Sequence, residues 1–274
     1  MTPSGNIAFI GGGNMARSLI GGLIARGTRA ESIRVAEPVE ALRESLARDF
    51  HVAVFSTALE AAVDADLWLL AVKPQVMRTV CEGLSATARS RDALVVSIAA
   101  GITAAQMQRW LGGDAAVVRA MPNTPALLGA GVTGLFASAQ VGSTGRQRTE
   151  ELLSSAGKTV WIEEEARMDA VTAVSGSGPA YVFLLAEAME EAAKAEGLTD
   201  DAARTLVLQT ILGAARMLTE SDEAPAELRK RVTSPNGTTQ AAIETFQAGG
   251  FGKLVAKAIH AASERGRELS AAND

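Results

Sequence analysis

The chain has little with which to build a metal centre or a covalent staple. Cys81 is its only cysteine, so no disulfide within the chain is possible. Two histidines, His51 and His260, are too few for a histidine-based metal site. It also lacks a basic excess: the net charge is −5 and the pI about 5.3, which argues against nucleic acid or an anionic membrane as the main partner. No apolar run approaches the roughly 18 residues of a membrane span. The opening Met-Thr-Pro-Ser-Gly-Asn has neither a basic nor an apolar signal region. A soluble, cytoplasmic protein without a metal is the expectation. Aromatics are only 4% of the residues, and the chain is instead rich in Ala and Gly, which suits close helix packing and tight strand-to-helix turns.

What is there divides into two halves. In the first, short apolar runs at Ile7–Ile10, Ile33–Ala36, Leu67–Val72, Leu94–Ile98 and Val117–Ala120 alternate with helical patterns such as Met15–Arg26, Glu40–Arg48 and Gln75–Ala88. That alternation predicts strand–helix–strand crossovers and a parallel sheet buried on both faces. Val132–Ala137 and Thr159–Ile162 are candidates to extend it. After about residue 165 the strand signals stop and helices follow: Ala180–Glu196, Asp200–Thr219, a short one at Pro225–Val232, Gln240–Gln247 and Lys253–Leu269, before a frayed tail. The expected fold is α/β, with a nucleotide-binding domain over residues 1–165 and an all-α domain over 166–274. Several of these helices are apolar on more than one face, as at Tyr181-Val-Phe-Leu-Leu-Ala, which predicts burial against a second subunit.

Two segments carry chemistry. Ile10-Gly11-Gly12-Gly13-Asn14-Met15-Ala16 is a G-x-G-x-x-A turn after a strand and before a helix, the context that makes it a dinucleotide site. Cofactor choice is read at the end of the next strand. There Glu37 favours a ribose 2′-OH and hence NADH, while Arg34 and Arg43 stand near enough in sequence to accommodate the 2′-phosphate of NADPH. Other strand ends, at Val72-Lys73-Pro74 and Ser97-Ile-Ala-Ala100, are expected to line the cofactor, although Lys73 alone reads equally as a solvated lysine. Asn123 and Thr124 sit in a loop stiffened by two prolines, more often a site than a plain connector, and Asn123 is expected to bind the cofactor. Far away, Arg231-Val-Thr-Ser-Pro-Asn-Gly-Thr-Thr-Gln240 joins a Ser-Pro turn and an Asn-Gly pair to a helix start. The free N–H groups of such a helix bind carboxylate or phosphate; by turn chemistry alone, a plain turn with a Thr cap reads as well.

Taken together, Phe9-Ile-Gly-Gly-Gly-Asn-Met-Ala, Ala71-Val-Lys-Pro, Ser97-Ile-Ala-Ala-Gly, Arg119-Ala-Met-Pro-Asn-Thr-Pro-Ala, Ala173-Val-Ser-Gly-Ser-Gly-Pro-Ala-Tyr and Val232-Thr-Ser-Pro-Asn-Gly-Thr-Thr make the chain resemble the pyrroline-5-carboxylate reductase family over almost its whole length. The resemblance implies a Rossmann-type domain, a helical domain that interlocks with that of a twofold mate, and in many members a ring of dimers. It implies reduction of 1-pyrroline-5-carboxylate to L-proline with NADPH or NADH, the last step of proline biosynthesis. Carried onto this chain, Ile10–Met15, Ala71, Val72, Lys73, Pro74, Ile98, Ala99 and Ala100 hold the dinucleotide. Ser234, Gly237 and Thr238 grip the substrate carboxylate, and Thr239 faces the ring nitrogen. Glu37 departs from the small hydroxyl residue common in members that prefer NADPH.

Rival readings have weaker sequence support. Gly176-Ser177-Gly178 is out of frame for a nucleophile elbow, since Ser175 stands where that motif needs glycine, and no apolar strand precedes it. A related two-domain reductase of another substrate would carry a Lys or an acid at the start of the helical half, where this chain has Ser, Gly and Tyr181. A nucleotide sensor without catalysis would not need the Ser234–Thr239 segment.

Overall fold

The structure, a computed structural model, describes residues 5–272. The first four residues and the end of the expected tail lie outside the described residues. The chain forms two compact units, residues 5–177 with 261–272, and residues 178–260.

The larger unit holds an eight-stranded sheet. In chain order its elements are β1 (Ile7–Ile10), α1 (Asn14–Ala25), β2 (Ile33–Ala36), α2 (Glu40–Phe50), β3 (Ala53–Phe55), α3 (Ala58–Ala62), β4 (Leu67–Leu70), α4 (Pro74–Arg91), β5 (Leu94–Ser97), α5 (Ala104–Leu111), β6 (Ala116–Met121), β7 (Gly131–Ala137), α6 (Ser143–Leu153), β8 (Gly157–Trp161) and α7 (Met168–Val171). The sheet order is β3-β2-β1-β4-β5-β6-β7-β8. β1 to β6 run parallel, whereas β7 pairs antiparallel with β6 and parallel with β8, so the last two strands are reversed.

The apolar runs form strands because they are buried on both sides. Ile7, Phe9, Ile33, Val35, Leu67 and Leu69 face one core with α1, while Ala8, Ile10, Trp68 and Leu70 face the other with α4 and α5. α1 buries Ala16, Leu19, Ile20 and Leu23, one stripe at helical spacing, and α4 does the same with Met77, Cys81, Leu84 and Ala88. The Cys81 thiol is pushed up to about 12, first by burial and then by the neighbouring Glu82 charge. His51 ends α2 in the left-handed conformation, at φ 57°, a structural place for one of the two histidines.

The smaller unit contains α8 (Gly178–Ala195), α9 (Asp200–Glu220), α10 (Pro225–Arg231), α11 (Thr238–Ala248) and the first half of α12 (Phe251–Ala271). α8 packs on α9, with Glu190 paired to Arg204 at 3.8 Å. Yet α8 has no buried residue, and α9 buries only Ala203 and Val207.

The division of the chain differs from the expected break at 165/166. Strands do end at Trp161, but α7 still packs on the sheet, with Val171 filling the space where Gly134 has no side chain. At the far end Gln106 Nε2 donates to the Ser270 carbonyl at 3.2 Å, so the last turns of α12 belong with the sheet. Periodicity reveals what kind of element a segment forms, not which core receives it.

Candidate functional site

The register of the sheet brings most of the expected cofactor residues to one edge. Ile10 stands beside both Ala36 and Leu70, Leu70 beside Ser97, and Ser97 beside Arg119. The residues that follow these positions, Gly11–Met15, Glu37, Ala71–Pro74, Ile98–Ala100 and Asn123, therefore emerge at the carboxyl ends of adjacent parallel strands. Each exit is stitched by one more ladder bond: Gly11 N–H to Ala36 O at 2.8 Å, Ala71 N–H to Ile10 O at 2.8 Å, and Ile98 N–H to Leu70 O at 3.1 Å. β1 lies between β2 and β4, the point where the winding of an open α/β sheet reverses and a crevice opens.

The glycine turn has the geometry such a crevice needs. Gly11 has φ +104°, and a Cβ there would stand 2.7 Å from the Ala71 carbonyl oxygen. A Cβ on Gly13, by contrast, would meet nothing within 4 Å, so the backbone at the start of α1 is open. No side chain caps α1, which leaves its first N–H groups aimed outward; α5, where no ligand is expected, is closed by a capping box of Thr103 and Gln106. These residues fit a pyrophosphate.

The charged and polar candidates are more committed than their spacing suggested. Glu37 is only 7% exposed, and its carboxylate accepts two backbone bonds, from Gly12 N–H and Val39 N–H, both at 3.0 Å. Arg34 turns away: it donates to the carbonyls of Ala61 and Glu60, stacks over Phe55 and pairs with Asp64. Arg43 stays at the strand end, donating from Nη1 to the carbonyls of Glu37 and Pro38, both at 2.8 Å. Lys73 is exposed and precedes α4, where Pro74 opens the helix. Asn123 uses both ends of its amide within its own unit: Oδ1 accepts from Val132 N–H at 3.0 Å, and Nδ2 donates to Ser175 O at 3.1 Å. Ser175 lies in a wide turn, Thr172–Gly176, closed by Ser177 N–H to Thr172 O at 2.8 Å, a bond spanning five residues. Neither the double engagement of Glu37 nor the bracing by Asn123 has a signal in the spacing of the residues.

The second set lies in the helical unit. α11 starts at Thr238, with Gly237 as its cap residue and no side-chain cap. Asn236 takes φ +59°, and Gly237 N–H closes the turn onto Ser234 O at 3.1 Å. Ser234 and Thr238 are exposed and Thr239 half-buried. Gln240 is drawn back over the turn, accepting from Asn236 N–H at 2.7 Å. The turn thus gathers Ser234, Gly237, Thr238 and Thr239 around one open helix start.

A sheet of this order, with a glycine turn at its switch point and an acid at the end of β2, defines a dinucleotide-dependent oxidoreductase. Comparison with known proteins carries this further. A family model described as pyrroline-5-carboxylate reductase dimerisation matches residues 165–269, and one described as NADP oxidoreductase, coenzyme F420-dependent, matches residues 6–101. The pyrroline-5-carboxylate reductase of Pseudomonas aeruginosa is 53% identical over 264 residues, 96% of each chain. A solved pyrroline-5-carboxylate reductase from Coxiella burnetii is 41% identical with a TM-score of 0.94, covering 97% of this chain and 99% of that one. The Plasmodium falciparum enzyme, solved with NADP bound, is 28% identical with a TM-score of 0.85, covering 98% and 100%. The chain belongs to the pyrroline-5-carboxylate reductase family. It is an NAD(P)-dependent enzyme, and its dimerisation region marks it as a homo-oligomer. Among the described residues no helix is long and apolar enough to cross a membrane.

Proposed function

We propose that this chain reduces 1-pyrroline-5-carboxylate to L-proline, the last step of proline biosynthesis, with NADPH or NADH as the reductant. When bound, the reduced nicotinamide supplies the hydride that reaches the C=N carbon. The chain's task is placement of the two carbons. Gly11, Gly12 and Gly13, with the open start of α1 and the strand ends at Ala71–Pro74 and Ile98–Ala100, hold the dinucleotide. Asn123 serves the same edge by bracing the turn at Ser175.

The observation that carries the substrate reading is the uncapped start of α11, in a chain akin to its relatives over both units. The free N–H groups and the positive end of the helix dipole neutralise the substrate carboxylate, and Ser234, Gly237 and Thr238 shape that pocket. Thr239 Oγ1 has no hydrogen-bond partner among the described residues, and we assign it to the ring nitrogen, where it orients the imine and holds its proton. A protonated imine accepts hydride without a metal, and among the described residues no cluster suited to one is present.

The helical unit dimerises with a second copy, and dimers assemble into a ring. The cytoplasm is the compartment we propose, because reduced pyridine nucleotide is available there. The test is purified protein with pyrroline-5-carboxylate, following reduced-cofactor absorbance separately with NADPH and NADH. Turnover with either supports the reading. Measurable cofactor binding without turnover overturns it in favour of another imine or of a sensor.

A further inference from the structure

Near the end of β2 stand an acid, Glu37, and three arginines, Arg17 of α1, Arg34 of β2 and Arg43 of α2, of which only Arg43 has two nitrogens without a partner among the described residues. Glu37 is buried, and each of its carboxylate oxygens already accepts a backbone N–H, one from the glycine turn and one from the turn before α2. Those two bonds join the loop after β1 to the loop after β2. A carboxylate used this way offers a ribose hydroxyl only its leftover lone pairs, behind a surface that is 7% exposed. Arg34 is consumed by the carbonyls of Glu60 and Ala61, and Arg17 by Asp49, Ser45 and the Phe50 ring. Arg43 is partly buried and fixed at the strand end by Nη1, while both its Nε and its Nη2 have no partner among the described residues. α2 opens beside it without a side-chain cap, so its N–H groups add to the attraction for an anion, against the opposing charge of Glu40 in the same turn.

We infer that Glu37 is a positioning residue that clamps the glycine turn rather than the acceptor for the ribose 2′-OH, and that Arg43 reads the 2′ position by pairing with a phosphate there. This rests on the dinucleotide site proposed above and deepens it. An arginine with two open donors in one plane matches phosphate geometry. The chain therefore accepts NADPH despite an acid at the position where an acid ordinarily selects NADH.

Calorimetric titration of the full-length protein with NADP+, NAD+, 2′,5′-ADP and ADP tests this without turnover. Arg43→Ala should raise the Kd for NADP+ and 2′,5′-ADP by about tenfold or more, leaving NAD+ and ADP within about twofold. Glu37→Gln and Glu37→Ala should weaken NAD+ and NADP+ by a similar factor, because both ligands use the same turn. Two results overturn the inference: an Arg43→Ala effect equal on all four ligands, or a Glu37 variant that loses NAD+ while gaining NADP+. Arg43→Ala alters a half-exposed side chain, so its result stands even where Glu37→Ala does not fold. Failure of the unmodified protein to bind any of the four ligands would sink the dinucleotide site itself, a different outcome from failure of the specificity claim.

Discussion

The two units of this chain solve the problem of apolar surface in opposite ways. The sheet unit covers most of its own: two cores, one on each face, take up every residue of β1 and β4 and Leu94, Val95 and Val96 of β5, although Leu128 stays 87% exposed. The helical unit leaves its apolar side chains out. Phe183 and Leu184 are each 66% exposed, Leu206 56%, Leu212 54% and Leu254 65%. Burying one such side chain is worth roughly 1.5–3 kcal/mol, so a row of them left in water is a standing driving force for association. The lesson is that the larger unit has two buried cores of its own, whereas the smaller one buries little and leaves long apolar side chains open to a partner. That contrast fits the proposed division of labour, with the cofactor held by the larger unit and the substrate gripped by the smaller one.

The largest effect that would sharpen this contrast is chemical. Thr239→Val should lower kcat/KM by about 10- to 1,000-fold while leaving the cofactor Kd unchanged, as measured by steady-state rates and titration. An unchanged kcat/KM removes Thr239 from the mechanism. Next comes assembly. Phe183→Asp should weaken self-association by at least about 30-fold, seen by sedimentation at graded concentrations, with the dinucleotide affinity preserved. A variant that keeps its oligomeric state would break the comparison, since the exposed helix face would then have another purpose. Smaller still, Gly13→Ala should weaken NADP+ binding by about tenfold with little change in Tm, because its Cβ meets only space that a ligand would fill. An equal loss of Tm would make Gly13 a folding residue. The smallest expected effect is at Cys81. Its thiol, held up at about 12 by burial, should resist alkylation in the native protein at pH 8 and react once denaturant is added. The sign follows from the raised value: burial favours the neutral thiol, so the unfolded chain loses its proton first and stability falls as pH climbs above about 9. Rapid native alkylation at pH 8 would show that this core opens.

Much of this was legible in the residues, for identifiable reasons. β1 and β2 could be read to the residue because an apolar run between turn signals has few other fates. β3 was not, since Ala53-Val-Phe is three half-buried residues long and carries no pattern. The reversal of β7 and β8 was not either, because hydrophobic alternation is the same in both directions along a strand. At the site, the glycine turn and the turn before α11 are visible in local backbone chemistry, and both α1 and α11 start without a side-chain cap. The partners of Glu37, Arg34 and Asn123 were not readable: they lie 21 to 52 residues from some of the groups they touch only after folding, as Glu37 and Gly12 do across 25 positions.

The path of the chain also constrains how the protein can be taken apart. It leaves the sheet unit after Ser177 and comes back at Ala261. The helical unit is thus an excursion with an outward and a homeward leg, not a tail. A fragment cut at 177 would lack the turns of α12 that return to Gln106 and would not be the native sheet unit minus an appendage. Isolating that unit calls for a linker joining 177 to 261, and the 83 residues between them form the cassette that another sequence could replace.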